Sequence, residues 1–125
     1  MNKYHNRKVK TNDGIVHDSR KEANRWTELK LLEQAGEITE LKRQMEFLLI
    51  PPQYEEITTG KRTKKKKRKL VERAVNYRAD FVYHDKYGNI HIEDVKGYKG
   101  GGAYSVFSIK RKLMLYVYGI KVEEV

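Results

Sequence analysis

The feature that most constrains the fold is a predicted β-hairpin in the second half of the chain. Two apolar runs flank the turn Asp85–Asn89, which contains Gly88. A three-residue loop built on a type I turn needs a left-handed residue, and we expect Gly88 to supply it. Counting outward from this turn in antiparallel register places Asp80 directly opposite Asp94. The two runs are YRADFVY at 77–83 and IHIEDVK at 90–96.

Two carboxylates and an ammonium converge on this hairpin. Alternation along a strand puts Asp94 and Lys96 on one face, and Asp80 would lie about 5 Å from Asp94 at the Cβ atoms. Carboxylate oxygens are ligands for hard cations such as Mg²⁺, or Mn²⁺, and a lysine can stabilise a developing anion. In a chain of net charge +10, this combination predicts phosphodiester hydrolysis. The alternative is a structural salt bridge with Arg78 or Lys96.

The choice of Asp94 over its neighbour Glu93 depends on the register. Asp94 ends an apolar stripe with Ile90 and Ile92, and an acid in that position needs an explanation. Glu93 shares the other face with His91, and we expect it to be solvent-exposed. A one-residue shift would pair Asp80 with Glu93 instead.

Glu22 is the fourth candidate, with two interpretations. Ser19 and Glu22 form the S-x-x-E pattern of a capping box at the start of a helix predicted over 20–35. On a helical wheel Glu22 also lies within 40° of Trp26 and Leu29, at about 100° per residue. It is therefore either a helix cap or an inward-facing acid that reaches the metal.

The positive charge is concentrated in one segment. The chain has 27 basic and 17 acidic residues, and eight of the nine residues at 61–69 are basic. Like charges repel, so the sequence predicts a flexible loop over 58–69 that binds phosphates. A solvated loop without a partner is the alternative, and no amphipathic helix supports binding to a membrane. The predicted nucleic-acid contacts are Lys61, Arg62, Lys64, Lys65, Lys66, Lys67, Arg68 and Lys69, with Lys99, Lys110 and Lys112 elsewhere.

The remaining pattern predicts one domain with an α/β fold, of the α+β kind with a mixed sheet. Residues 1–16 form either a basic arm or an edge hairpin, and residues 17–125 form the domain. The predicted order is helix, three strands, helix, strand. The first strand, at 45–50, is interrupted by Pro51-Pro52, and the second runs over 70–83.

The second helix is predicted over 105–118, after a glycine-rich loop. We expect its apolar face to hold Ile109, Leu113, Tyr116 and Val117. The final strand covers 120–125. The four histidines show no spacing typical of metal ligands and remain unassigned.

Several classes of protein are disfavoured. The chain has no cysteine, so disulfides and thiolate metal sites are absent. No run approaches the roughly 20 apolar residues of a membrane span, and the N-terminus lacks the apolar stretch of a signal peptide. We therefore expect a cytoplasmic protein with no membrane partner.

These residues resemble the PD-(D/E)XK nuclease superfamily, whose core is αβββαβ. Asp80 matches the acid of the second strand, Asp94 and Lys96 match the acid-x-lysine of the third, and Glu22 matches the helix acid. The segments SRKEA at 19–23, ELKLLE at 28–33 and EDVKG at 93–97 are similar to small phage and prophage nucleases. These nucleases are often grouped with Holliday-junction resolvase-like enzymes. Ala79 stands where the motif has proline, and Asp94 replaces the commoner glutamate.

The resemblance implies a restriction-endonuclease-like core and a Mg²⁺-dependent DNA endonuclease. Asp80, Asp94 and the Val95 carbonyl would hold the cation, Glu22 would bind it directly or through water, and Lys96 would orient the attacking water. The substrate would be branched or structure-defined DNA, in the cytoplasm of a bacterial host. Because junction resolution requires two coordinated cuts, it would call for a homodimer.

Two further functions fit the sequence. One is a non-catalytic nucleic-acid-binding module, a degenerate nuclease that keeps the basic segment. The other is a protein that recruits a replication or packaging complex through that segment.

Overall fold

The computed structural model describes residues 7–60, 62, 64–97 and 99–125. Two helices and eight strands lie within these ranges. In chain order they are β1 (Val9–Lys10), β2 (Val16–His17), α1 (Arg20–Gln34), β3 (Ile38–Ile50), β4 (Gln53–Thr59), β5 (Lys65–Glu72), β6 (Val75–Asp85), β7 (Ile90–Asp94), α2 (Gly101–Tyr118) and β8 (Glu123–Glu124).

A mixed four-stranded sheet organises the molecule, in the order β3-β6-β7-β8. Strand β6 pairs antiparallel with both β3 and β7, whereas β8 runs parallel to β7. Trp26 and Leu29 of α1 pack in one core with Phe81, whereas α2 packs in another with Val82 and Ile92. Because adjacent strand residues point to opposite faces, the two helices cover opposite faces of the sheet. The predicted mixed α+β architecture and the order helix, three strands, helix, strand are confirmed for this sheet.

The central hairpin has the predicted turn and register. Gly88 has φ = 83°, and the Asp85 N–H donates to the Asn89 carbonyl at 2.9 Å. Residue 82 pairs with 92, and residue 81 with 93. The next position along the two strands places Asp80 opposite Asp94, as the turn chemistry predicts.

Strand β3 begins seven residues earlier than predicted. It starts at Ile38 rather than Met45, and its first half is too polar to show the alternation of a strand. The register slips between Thr39 and Lys42, and two non-glycine residues have a positive φ, Glu40 at 55° and Gln44 at 52°. An extra residue of this kind forms a β-bulge, which re-aims side chains next to it.

The predicted flexible loop over 58–69 is wrong at both ends, because residues 58–59 belong to β4 and residues 65–69 to β5. Strand β5 pairs antiparallel with β4 and forms a separate two-stranded ribbon. Repulsion within the basic run is reduced in two ways: alternation sends successive side chains to opposite faces, and Glu55 and Glu56 lie across from Lys69 and Arg68. The predicted single strand over 70–83 is likewise two strands, broken after Glu72. Lys61 lies outside the described residues.

The described part of the N-terminal segment contains a hairpin, but this hairpin is not an edge of the four-stranded sheet. Strands β1 and β2 pair antiparallel as a small sheet of their own. The turn is tied to α1 because the Trp26 Nε1–H donates to Asp13 at 2.6 Å. Hydrogen bonds from Thr11 and Trp26 lower the pKa of Asp13 to about 2. Residues 1–6 lie outside the described part of the chain.

The predicted apolar face of α2 is wrong except at Leu113, which is partly buried against the core. Phe107 and Met114 are the buried residues, whereas Ile109 and Tyr116 are exposed. The helix carries two apolar stripes, and the one with fewer aliphatic residues packs on the sheet. Within the described residues, neither helix combines the length and apolar character needed to cross a membrane.

Candidate active site

An open cleft of about 720 Å³ gathers all of the predicted catalytic residues. It lies between the start of α1, the middle of β6 and the end of β7. Its acidic residues are the exposed Asp18 together with Glu22, Asp80 and Asp94, and Val95 and Lys96 lie beside them. Residues that are far apart in sequence therefore meet here because the hairpin register and the entry of α1 bring them together.

Asp80 is held by neutral donors. The Val95 N–H donates to one carboxylate oxygen at 2.8 Å, and the Gln44 amide donates to the other at 3.3 Å. Burial raises the pKa of Asp80, and the nearby charge of Asp94 raises it further. Among the described residues, no basic side chain forms a direct ion pair with Asp80. Its charge is thus only partly compensated.

Asp94 is almost fully buried and lies between two donors. The Tyr77 hydroxyl donates to one carboxylate oxygen at 2.7 Å, and the Lys96 ammonium lies 2.7 Å from the other. The same ammonium stands 3.7 Å from the centre of the Phe107 ring. A cation over an aromatic face is attracted by the ring quadrupole, so Lys96 is positioned from two sides. Tyr77 is a contact that the sequence did not predict.

Glu22 lies in the first turn of a capped helix and faces inward, and its role as a metal ligand stays a prediction. Its N–H donates to the Ser19 hydroxyl at 3.1 Å, as in a capped helix. Its carboxylate is buried and lies 3.8 Å from the His17 imidazole. Burial, and then the charge of Asp80, raise the pKa of Glu22 to about 7. Burial and the neighbouring Arg43 lower the pKa of His17.

Gln44 links two of the acids, although no sequence pattern predicts it there. Its side-chain amide donates to Glu22 at 3.4 Å and to Asp80 at 3.3 Å. Its backbone φ of 52° is unusual for a residue with a Cβ atom in a strand. Such strain costs about 1 kcal/mol or more and tends to accumulate at functional sites. No local pattern around position 44 indicates this conformation.

The rim of the cleft is basic. Four cationic residues line it: Arg7, Arg20, Lys21 and Arg78. Lys21 also donates to the Lys96 carbonyl at 2.7 Å, which fixes the chain beside the acids. The predicted nucleic-acid contacts do not line this cleft. Among them, Lys65–Lys69 lie on the ribbon and Lys110 and Lys112 on α2.

Glu93 is not the exposed residue that was predicted. It is 1% exposed, and Arg25 forms a bidentate pair with it at 2.7 and 2.6 Å. The Tyr83 hydroxyl donates to the same carboxylate. These bonds satisfy a buried charge, and Arg25 lies 68 positions away, beyond any local pattern.

His91 takes part in a second polar cluster on the strand face of Glu93. Its Nε2 lies 2.8 Å from Asp85 and its Nδ1 lies 3.3 Å from Glu123. The hydrogen bond to Asp85 raises the pKa of His91, and the imidazole lowers the pKa of Asp85 to about 2. This cluster ties the turn of the hairpin to β8.

The chemistry of the donor set fits a hard divalent cation. Asp80, Asp94 and Glu22 offer carboxylate oxygens, and the Val95 carbonyl lies on the same cleft wall. Burial raises the pKa of both Glu22 and Asp80, and the neighbouring carboxylate of Asp80 in the first case and Asp94 in the second raises it further; a cation would relieve this repulsion. Within the described residues, no three acidic or histidine side chains are already gathered as a cation cage.

The fold and the cleft define an α+β protein with a carboxylate and lysine site on the two inner strands of a mixed sheet. A family model described as "Protein of unknown function (DUF1064)" matches residues 1–123, and the chain belongs to this family. No curated protein and no solved structure matches the chain.

Proposed function

We propose that the protein is a Mg²⁺- or Mn²⁺-dependent DNA endonuclease with the restriction-endonuclease-like core of the PD-(D/E)XK superfamily. One observation carries the proposal. A single cleft brings together Glu22, Asp80, Asp94 and Lys96 beneath a basic rim. Three inward-facing acids and a lysine, below a rim with four cationic residues and Asp18, suit a site for an anionic phosphodiester.

Three oxygen-bearing residues of the hairpin would hold the cation: Asp80, Asp94 and the Val95 carbonyl. Glu22 would bind it directly or through a water molecule. When bound, the cation would polarise the phosphate and lower the pKa of a bound water. Gln44 keeps the Glu22 and Asp80 carboxylates together without adding charge.

Lys96 acts on the attacking water and on the charge that develops at phosphorus. Asp94 and the Phe107 ring fix its ammonium, so little reorganisation is needed during the reaction. Because the ammonium is a donor only, it orients a water by donating to its oxygen. It then stabilises the phosphorane-like transition state.

The basic rim would bind the substrate through its backbone. Contacts to phosphates fix position without identifying base sequence. We therefore propose branched or otherwise structure-defined DNA as the substrate, processed by a homodimer when two cuts are needed. A role in phage recombination, replication or packaging, in the cytoplasm of a bacterial host, agrees with this substrate.

The direct test is a cleavage assay on branched, duplex and single-stranded DNA, with Mg²⁺, Mn²⁺ or a chelator. We expect metal-dependent cleavage with branched DNA as the best substrate. Cleavage that survives both chelation and the change Asp94→Asn would refute the assignment.

A second function is supported by one contact. The Lys96 ammonium already neutralises Asp94 at 2.7 Å, as in a structural salt bridge. This favours a non-catalytic nucleic-acid-binding module. If the protein is such a module, it binds DNA without cleaving it, and Asp94→Asn binds DNA with the same affinity as the wild type.

A further inference from the structure

The β4–β5 ribbon, Gln53–Thr59 paired with Lys65–Glu72, stands out from the rest of the molecule. Every residue of β5 is exposed, and in β4 only Ile57 is partly buried. The ribbon continues from the end of the β3–β6 pair, since β3 ends at Ile50 and β6 begins at Val75. Eight strand residues span roughly 26 Å at about 3.3 Å per residue. The ribbon is therefore a narrow arm with two exposed faces.

The charge of the ribbon is uneven along its length. In the half next to the sheet, the acids Glu55 and Glu56 lie across from Lys69 and Arg68. In the distal half, Lys65, Lys66 and Lys67 lie across from Thr59, Thr58 and Ile57, which carry no charge. The Lys66 ammonium reaches Glu56 only at 4.0 Å, and both side chains are largely exposed. Such a pair contributes little, so the positive potential is concentrated at the distal half.

Both faces of the distal half are basic. Alternation places Lys65 and Lys67 on one face and Lys66 on the other. The major groove of B-DNA, about 12 Å wide, admits a two-stranded β-ribbon and is walled by phosphates on both sides. We propose that the distal half of this ribbon is a duplex-binding arm that enters the major groove, with Lys65, Lys66 and Lys67 on the phosphate walls.

The composition of the distal half favours duplex DNA over other anionic partners. Binding to single strands relies on aromatic side chains that stack on bases. The ribbon's Tyr54 lies at the basal end, where Arg68 covers its ring at 4.1 Å. An interfacial membrane segment needs a continuous apolar face. The distal residues offer Ile57 alone.

The arm would contact DNA at a distance from the cleft. From Asp80 to Lys67 the chain spans at most about 43 Å, at about 3.3 Å per strand residue. This corresponds to no more than about 13 base pairs, at roughly 3.4 Å of rise each. The position of this contact relative to the cut rests on the proposed function, whereas duplex binding by the arm does not.

The first test removes the distal charge. The variant K65Q/K66Q/K67Q is compared with a control, K42Q/K86Q/K121Q. The control also loses three positive charges, but from exposed positions outside the ribbon. Affinity for a 30-base-pair duplex is measured by fluorescence anisotropy against salt concentration, in chelator so that no strand is cut. We expect the ribbon variant to lose about 10- to 100-fold in affinity. Its salt slope should fall by about 2 to 3, at roughly 0.9 for each lost phosphate contact.

The second test keeps every charge and removes the strand pairing. In I57P/T58P one of the two prolines must delete a ladder hydrogen bond, because successive N–H groups alternate between the partner strand and solvent. We expect duplex affinity to fall at least about fivefold, with single-strand affinity unchanged. Thermal melting of all three variants checks that the main domain is intact.

Each outcome decides the proposal. Wild-type duplex affinity in either ribbon variant would overturn it, as would an equal loss in the control triple variant. Affinity for vesicles of anionic lipid and for single-stranded DNA is measured for the same variants. A ribbon variant that loses affinity only for the vesicles, or that loses as much affinity for single-stranded DNA as for the duplex, would also overturn the proposal. If the wild type cleaves DNA but the ribbon variants bind normally, the arm fails and the nuclease proposal stands. If nothing is cleaved but duplex binding is lost, the reverse holds.

Discussion

Glu93 and Asp94 are adjacent on one strand, and both are buried, yet their charged partners differ. The Arg25 guanidinium donates two hydrogen bonds to the Glu93 carboxylate and neutralises its charge. Asp94 is paired with the Lys96 ammonium and lies in the cleft with Asp80 and Glu22, for which the described residues show no ion pair with a lysine or arginine. A buried acid with its own cation stabilises the fold. A cluster of acids with too few cations stores repulsion that a bound ion can relieve.

The largest expected effect tests the Asp94 side of this comparison. The change Asp94→Asn keeps the shape but removes a carboxylate from the proposed cation site. We expect metal-dependent cleavage to fall at least about 1000-fold, since the cation supplies several kcal/mol of stabilisation to the transition state. The measurement is the single-turnover cleavage rate on branched DNA. A loss of less than tenfold would contradict the assignment.

The matched change on the neighbouring residue is Glu93→Gln. It leaves the Arg25 guanidinium paired with the exposed Glu28 but without its buried partner, so we expect the free energy of unfolding to fall by about 2 kcal/mol. The cleavage rate per folded molecule should be unchanged, because Glu93 does not line the cleft. Urea denaturation and the cleavage assay measure both. A loss of activity with no loss of stability would reverse the roles we assign.

The third prediction concerns the pH dependence of stability through Glu22. Its pKa in the folded state, about 7, lies above the ordinary value of 4.5. The native state therefore keeps this proton where the unfolded chain has released it, and the free energy of unfolding falls as pH rises from about 4.5 to 7. Between pH 4.5 and pH 8, without metal, Glu22→Gln should gain up to about 3 kcal/mol relative to the wild type. Unfolding curves at the two pH values provide the check, and a pH-independent difference would count against the raised pKa.

The smallest expected effect is at Gln44. The change Gln44→Gly relieves the positive φ but removes the amide between Glu22 and Asp80. We expect stability to change by no more than about 1 kcal/mol, while cleavage falls about tenfold. A variant with full activity would show that Gln44 has no part in the site. Gln44→Asn, which keeps an amide, is the control.

The features predicted correctly from sequence are those set by local chemistry. Gly88 in a tight turn fixes the hairpin register and therefore places Asp80 opposite Asp94. Ser19 fixes the start of α1, and the position of Glu22 on that helix follows from it. Turn residues and caps act within a few residues of each other, so a single sequence carries the information.

The features that were missed depend on distant partners. Glu93 is buried because of Arg25, and the ribbon forms because Glu55 and Glu56 lie across from part of the basic run. Gln44 reaches the cleft through a backbone conformation for which the local sequence has no signal. Sequence periodicity does not indicate which positions pair when they are far apart in the chain.

The most direct test of the central claim is a Mn²⁺ titration of the wild type, Asp94→Asn and Glu93→Gln without DNA, followed by electron paramagnetic resonance. We expect the wild type and Glu93→Gln to bind the ion with the same stoichiometry and similar affinity, and Asp94→Asn to lose this binding. Equal binding by Asp94→Asn and the wild type, or loss of binding in folded Glu93→Gln alone, would contradict it.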